Sequence, residues 1–126
     1  MKDLQIHMGL FDFAVNFIVG PDDKKVYKYL GETWGDKTVA ASNFNEGYTA
    51  RGRCYFRKGW VPIIWLPRYP KTPREHATLS HECIHAVWHL FEWASLPMTR
   101  DNEEVLAHAT SHLINGFLKK WGRKSK

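Results

Sequence analysis

The chain has little cysteine, no long apolar run and no linker. Its two cysteines, Cys54 and Cys83, are too few for a disulfide framework, so free thiols in a reducing, cytoplasmic setting are expected. No uninterrupted apolar stretch approaches the ~20 residues that cross a bilayer, and no membrane contact is expected. The first twenty residues, MKDLQIHMGLFDFAVNFIVG, are interrupted by Asp3 and Asp12 and precede no small-residue cleavage site, unlike a secretory signal. Internal repeats and low-complexity tracts are also missing. What is there is a chain of 126 residues, 44% of them hydrophobic. That is the size of one domain with a real core, and it excludes wholesale disorder.

Acidic side chains are missing from one stretch altogether. Residues 51–74 carry seven basic groups and no acid, whereas residues 75–118 hold a single arginine against six acids. Lys119, Lys120, Arg123, Lys124 and Lys126 then give a basic C-terminal segment, read as a tail (119–126) on a single domain (1–118). Such segments attract nucleic acid or other anionic surfaces, but they equally keep a small protein in solution. No nucleic-acid motif accompanies them.

The pattern along the chain is α+β. Residues 10–19 read as a strand closed by Gly20-Pro21, and Asp22-Asp23 open a short helix ending near Gly31. Residues 47–57 alternate between two faces as a strand does, Lys58-Gly59 suits a turn, and residues 60–66 read as the returning strand. Pro62 points that second strand to a sheet edge, because proline donates no ladder hydrogen bond. Thr72-Pro73-Arg74-Glu75 is the clearest start signal: a capping hydroxyl, a proline at the first helical position and Glu at the third. A helix over about 73–95 follows, Pro97 stops it, and a second helix begins near 99–102. Leu106, Ala109, Leu113 and Phe117 recur at steps of three and four and form its buried stripe. The expected architecture is a small, mostly antiparallel sheet packed against two long helices.

Inside the first long helix stands His81-Glu82-Cys83-Ile84-His85, an H-E-x-x-H pentapeptide. Residues four apart lie one above the other on a helix, so His81 and His85 can offer ring nitrogens to one Zn²⁺. Glu82 can reach a water on that metal and act as general base. A chance match would leave two surface histidines and a solvated glutamate. Against it stand the apolar helix around the motif (Leu79, Ile84, Val87, Leu90), the preceding apolar strand and an acid at suitable distance downstream.

With Glu104 following His85 after an 18-residue gap, the segment resembles the gluzincin metallopeptidases, the group of thermolysin and aminopeptidase N. It is also similar to small stand-alone zincin domains of phage and bacterial genomes. The resemblance covers roughly residues 60–118. It implies zinc-dependent hydrolysis of peptide or protein substrates, with His81, His85 and Glu104 as metal ligands and Glu82 as the base. Asn102-Glu103-Glu104-Val105-Leu106-Ala107 matches the family's glutamate helix through Glu104 and Ala107. In zincins the edge strand beside the motif helix pairs with extended substrate, which gives that role here to Ile63, Ile64 and Trp65. SprT-like zinc proteases use a third histidine in a His-Gly pair, and this chain has no such pair.

The third ligand stays open on the residues themselves. Glu104 could instead complete a helix cap, His108 shares its face one turn on and could ligate or donate to an oxyanion, and Glu103 lies nearer the buried stripe. Tyr48, Tyr55 and Tyr69 are further candidates for the oxyanion donor. His89 and His112 read as satisfied or surface histidines, Cys83 as an inert buried thiol, and Trp88 and Trp93 as packing residues. Two other functions compete: a catalytically silent, zinc-stabilised binding or regulatory module, and a nucleic-acid-binding protein using the basic segments.

Overall fold

The computed structural model describes residues 2–9, 13–20, 28, 52–56 and 61–124. Their order is β1 (Lys2–His7), β2 (Ala14–Val19), β3 (Arg53–Tyr55), β4 (Ile63–Leu66), α1 (Pro73–Trp93), a 3₁₀ turn (Arg100–Asn102) and α2 (Glu103–Lys124). The fold is α+β, as the patterning implies. The early helix after Asp22, the first part of the strand expected from Gly47 and the Lys58-Gly59 turn lie outside the described residues.

The four strands form one mixed sheet in the order β1-β2-β4-β3. β1 and β2 pair antiparallel, from Lys2 opposite Val19 to His7 opposite Ala14. β2 and β4 run parallel, with Asn16 opposite Ile63, and β4 pairs antiparallel with β3, with Cys54 opposite Ile64. The expectation that Ile63, Ile64 and Trp65 form a sheet edge is therefore corrected: β4 is an interior strand, and all four of its residues are buried. Pro62 misleads because it stands one residue before the strand. There its missing N–H costs no ladder bond, while its carbonyl accepts from the Asn16 N–H at 2.9 Å. The outermost described strand on that side is β3.

Both faces of the sheet are covered. Ile6, Val15, Phe17, Val19, Ile64 and Leu66 meet Leu79, Cys83, Ala86, Val87 and Leu90 of α1 and Leu113, Phe117 and Trp121 of α2. On the opposite face Ile18, Ile63 and Trp65 are also buried, and the Trp65 indole N–H donates to the Gly20 carbonyl at 2.9 Å.

The helices begin and end for local reasons. Thr72 accepts from the Glu75 N–H while the Glu75 carboxylate accepts from the Thr72 N–H, the reciprocal capping box expected from the sequence. At the other end Ser95 adopts φ 56°, its N–H donates to the Glu92 carbonyl, and the Leu96 N–H reaches back to the Phe91 carbonyl. This is a Schellman closure, and Pro97 follows it. In α2 the stripe Ala109, Leu113 and Phe117 is buried, and it continues one turn further to Trp121. The boundary drawn at 118/119 thus falls inside α2, which carries Lys119 and Lys120 on its exposed side.

Candidate metal centre

The capping box fixes where α1 starts, and the 3.6-residue period then decides which side chains share a face. Leu79, Cys83, Ala86, Val87 and Leu90 point to the core. His81 and His85 consequently stand on the opposite side, exposed, with Glu82 at the boundary and buried. The Nε2 atoms of His81 and His85 lie 3.2 Å apart. Two ligands at ~2.0–2.1 Å from a tetrahedral ion are separated by roughly 3.3 Å. The pair is therefore spaced as one edge of such a site, and imidazole nitrogens are donors that Zn²⁺ accepts.

Glu82 sits against this pair, with Oε1 3.9 Å from His81 Nε2 and its side chain 10% exposed. Burial pushes its carboxyl above the usual range; the charges of His81, His85 and Arg53 and a hydrogen bond from the Cys54 N–H pull the other way. A carboxylate that is partly desolvated yet held by a backbone donor is suited to taking and returning a proton.

The wall facing Glu82 is β3. Gly52 meets Thr78, the Cys54 N–H reaches Glu82, and the Phe56 ring stacks on His89, so β3 runs in the same direction as α1. Two strand residues advance ~6.6 Å and four helical residues ~6 Å, which keeps strand and helix nearly in step. Between them lies an open cleft of about 260 Å³ lined by Gly52, Arg53, Cys54, Tyr55, Phe56, Glu82, His85 and His89. A slightly larger hollow, about 290 Å³, lies at the start of α1 between Arg68 and Thr78, away from the histidine pair. The smaller cleft holds Glu82 and His85.

Other candidates fall in different places. Glu104 and His108 pair with each other at 3.4 Å, with side chains 86% and 84% exposed. Glu103 is exposed as well. Among the described residues no three His, Cys, Asp or Glu side chains gather around one point, so Glu104, His108 and Glu103 do not join His81 and His85 here. Tyr69 stacks on Phe117 and directs its hydroxyl to the Leu118 carbonyl, Tyr55 lines the cleft, and Tyr48 lies outside the described residues. Burial, then the Glu82 charge, pushes the Cys54 thiol up to about 12, and burial raises Cys83 too, so neither thiol is an available thiolate.

The sequence missed the surroundings of the pair. His89 is neither exposed nor satisfied: its Nδ1 is buried without a hydrogen-bond partner, and burial lowers its basicity. The Glu92 carboxylate stands 3.6 Å from that nitrogen, beyond hydrogen-bond reach. The i, i+4 row from His81 and His85 to His89 is visible in the sequence and leaves a role beside the pair open, although a satisfied or exposed histidine is the reading it favours. His112 holds the His7 carbonyl at 2.8 Å and so ties α2 to β1. Trp88 and Trp93, read as packing residues, are 48% and 54% exposed, although the Trp93 ring does meet that of Phe13 at 5.7 Å.

No protein-family model, no curated protein and no solved structure matches this chain. Among the described residues no helix is long and apolar enough to cross a membrane.

Proposed function

We propose that this protein is a zinc-dependent hydrolase of peptide bonds. The observation that carries the reading is the 3.2 Å approach of His81 Nε2 to His85 Nε2 beside the buried carboxylate of Glu82. Zinc in such a site supplies a Lewis acid that polarises a carbonyl and makes water a nucleophile near neutral pH.

The chain's own residues do the rest. His81 and His85 would hold the metal through the two Nε2 atoms that face each other at 3.2 Å. Glu82, raised by desolvation and oriented by the Cys54 N–H, takes a proton from water at its carboxylate and passes it to the departing amine. The cleft between β3 and α1 receives the substrate next to these groups. Zinc sites of this type use three protein ligands. We assign the third to Glu104, an assignment that rests on sequence spacing alone. A silent, metal-stabilised module is the weaker reading, because a structural site has no use for a desolvated carboxylate beside its ligands.

The test is Glu82→Gln. It keeps the shape and removes the base, so zinc content should stay at wild-type level while hydrolysis of a mixed peptide library falls ~10²–10⁴-fold. Undiminished hydrolysis by the variant would remove Glu82 from the reaction.

A further inference from the structure

We propose that the cleft selects its substrate by a planar ring: an aromatic side chain beside the scissile bond stacks on Phe56 and is preferred to a branched aliphatic one. The inference rests on the hydrolytic reading of His81, Glu82 and His85 and names the substrate class of that site.

Phe56 is a large apolar residue left 48% exposed at the end of β3. Its ring centroid lies 3.5 Å from that of His89, with the planes inclined by 27°. One face of the phenyl ring is thus covered by the imidazole, and its exposed part belongs to the remaining face and edge. Both rings line the cleft that holds Glu82 and His85. The His89 ring packs under Phe56, with its Nδ1 3.6 Å from the Glu92 carboxylate and without a hydrogen bond. The result is a flat two-ring shelf inside the site.

Its position relative to the chemistry follows from helix geometry. His89 is one turn, ~6 Å, beyond His85, and an extended peptide advances ~3.3 Å per residue. A side chain one or two places from the bond over the histidine pair therefore reaches the shelf. The cleft volume, about 260 Å³, suits one large side chain rather than several. Ring-on-ring contact adds to simple apolar burial, whereas an aliphatic side chain gains the burial alone. Ile84 and Trp88 are also exposed on α1, but they do not line this cleft.

Matched peptides carrying Phe, Leu or Ala at one position test the idea with the full chain. Wild type should cleave the Phe peptide with kcat/KM roughly fivefold above the Leu peptide. Phe56→Ala should bring that ratio to about one, and Phe56→Tyr should preserve it, which separates loss of the ring from misfolding. A ratio at or below one in wild type, or a ratio that survives Phe56→Ala, overturns the proposal. If wild type cleaves neither these peptides nor a mixed peptide library, the hydrolytic reading fails by itself. The shelf is then read from calorimetric binding of the same uncleaved peptides to wild type and Phe56→Ala. Tighter binding of the Phe peptide that disappears in the variant upholds the shelf, and equal binding of Phe and Leu peptides overturns it.

Discussion

Gly52 lies so close to Thr78 that a Cβ on the glycine would stand 2.9 Å from the threonine Cγ2 and 3.3 Å from the Trp65 carbonyl oxygen. Only a residue without a side chain lets β3 approach α1 this closely, and that approach brings the Cys54 N–H to Glu82. Gly52→Ala must push the strand outward or force the Thr78 and Leu66 side chains to move. Overpacking of this kind costs about 1–3 kcal/mol. Urea unfolding should show that loss, and a variant as stable as wild type would mean that β3 has slack against the helix.

Metal content separates the ligands. His81→Ala and His85→Ala should each abolish stoichiometric zinc in elemental mass spectrometry of protein purified without added metal. Glu104→Ala should also lower it, with His108→Ala near wild type. The reverse pattern would transfer the third position to His108. Wild-type protein that takes up no zinc, even on reconstitution, would reduce the pentapeptide to two surface histidines and a glutamate.

Ser95 sits at φ 56° to close α1, a left-handed conformation that costs a non-glycine residue about 1–2 kcal/mol. Glycine removes that strain but gives the unfolded chain more freedom, worth about 0.4–1 kcal/mol. Relief of strain outweighs the added freedom, so Ser95→Gly should stabilise the protein by about 0.5 kcal/mol. A lower denaturation midpoint in that variant would show that the serine side chain compensates for its backbone.

Acid should weaken the start of α1 through Glu75, whose carboxylate keeps its charge in the folded protein after ordinary carboxylates have lost theirs. The hydrogen bond from Arg68 holds the Glu75 carboxyl down at about 2, with the Thr72 and Lys71 N–H groups adding to it. A carboxylate depressed in the folded state stabilises the fold fully above its unfolded value, about 4.5. That contribution fades as the pH falls from there toward about 2. Glu75→Gln should flatten stability against pH in this window; an unchanged profile would show that the pair is screened by solvent. Thr72→Ala, which removes the other half of the box, should cost about 1 kcal/mol at neutral pH.

How far the sequence reached depended on whether a feature was local. Thr72 and Glu75 are three residues apart, His81 and His85 four, and Leu113 and Phe117 four, so helical geometry alone places each pair. The strand order depended on contacts between distant segments, and there Pro62 was a poor guide: it excludes a ladder donor at one position and says nothing about its neighbours. The shelf of Phe56 on His89 was invisible for the same reason. Neither residue carries a motif, and only the docking of β3 beside α1 makes them meet. Glu104 is the instructive middle case. Its spacing from His85 matches a known pattern, yet spacing across a turn does not fix direction, and the side chain stands beside His108 facing solvent.

The two halves of the candidate site belong to different levels of the folding process. The histidine pair lies within one capped helix and needs only the closure of a single helical turn. The opposing wall is secured by β4, whose parallel pairing joins Ile63 to Asn16 across a wide separation in sequence and carries the closure entropy of that distance. Local opening of the sheet should therefore dismantle the cleft before it disturbs the spacing of the two imidazoles.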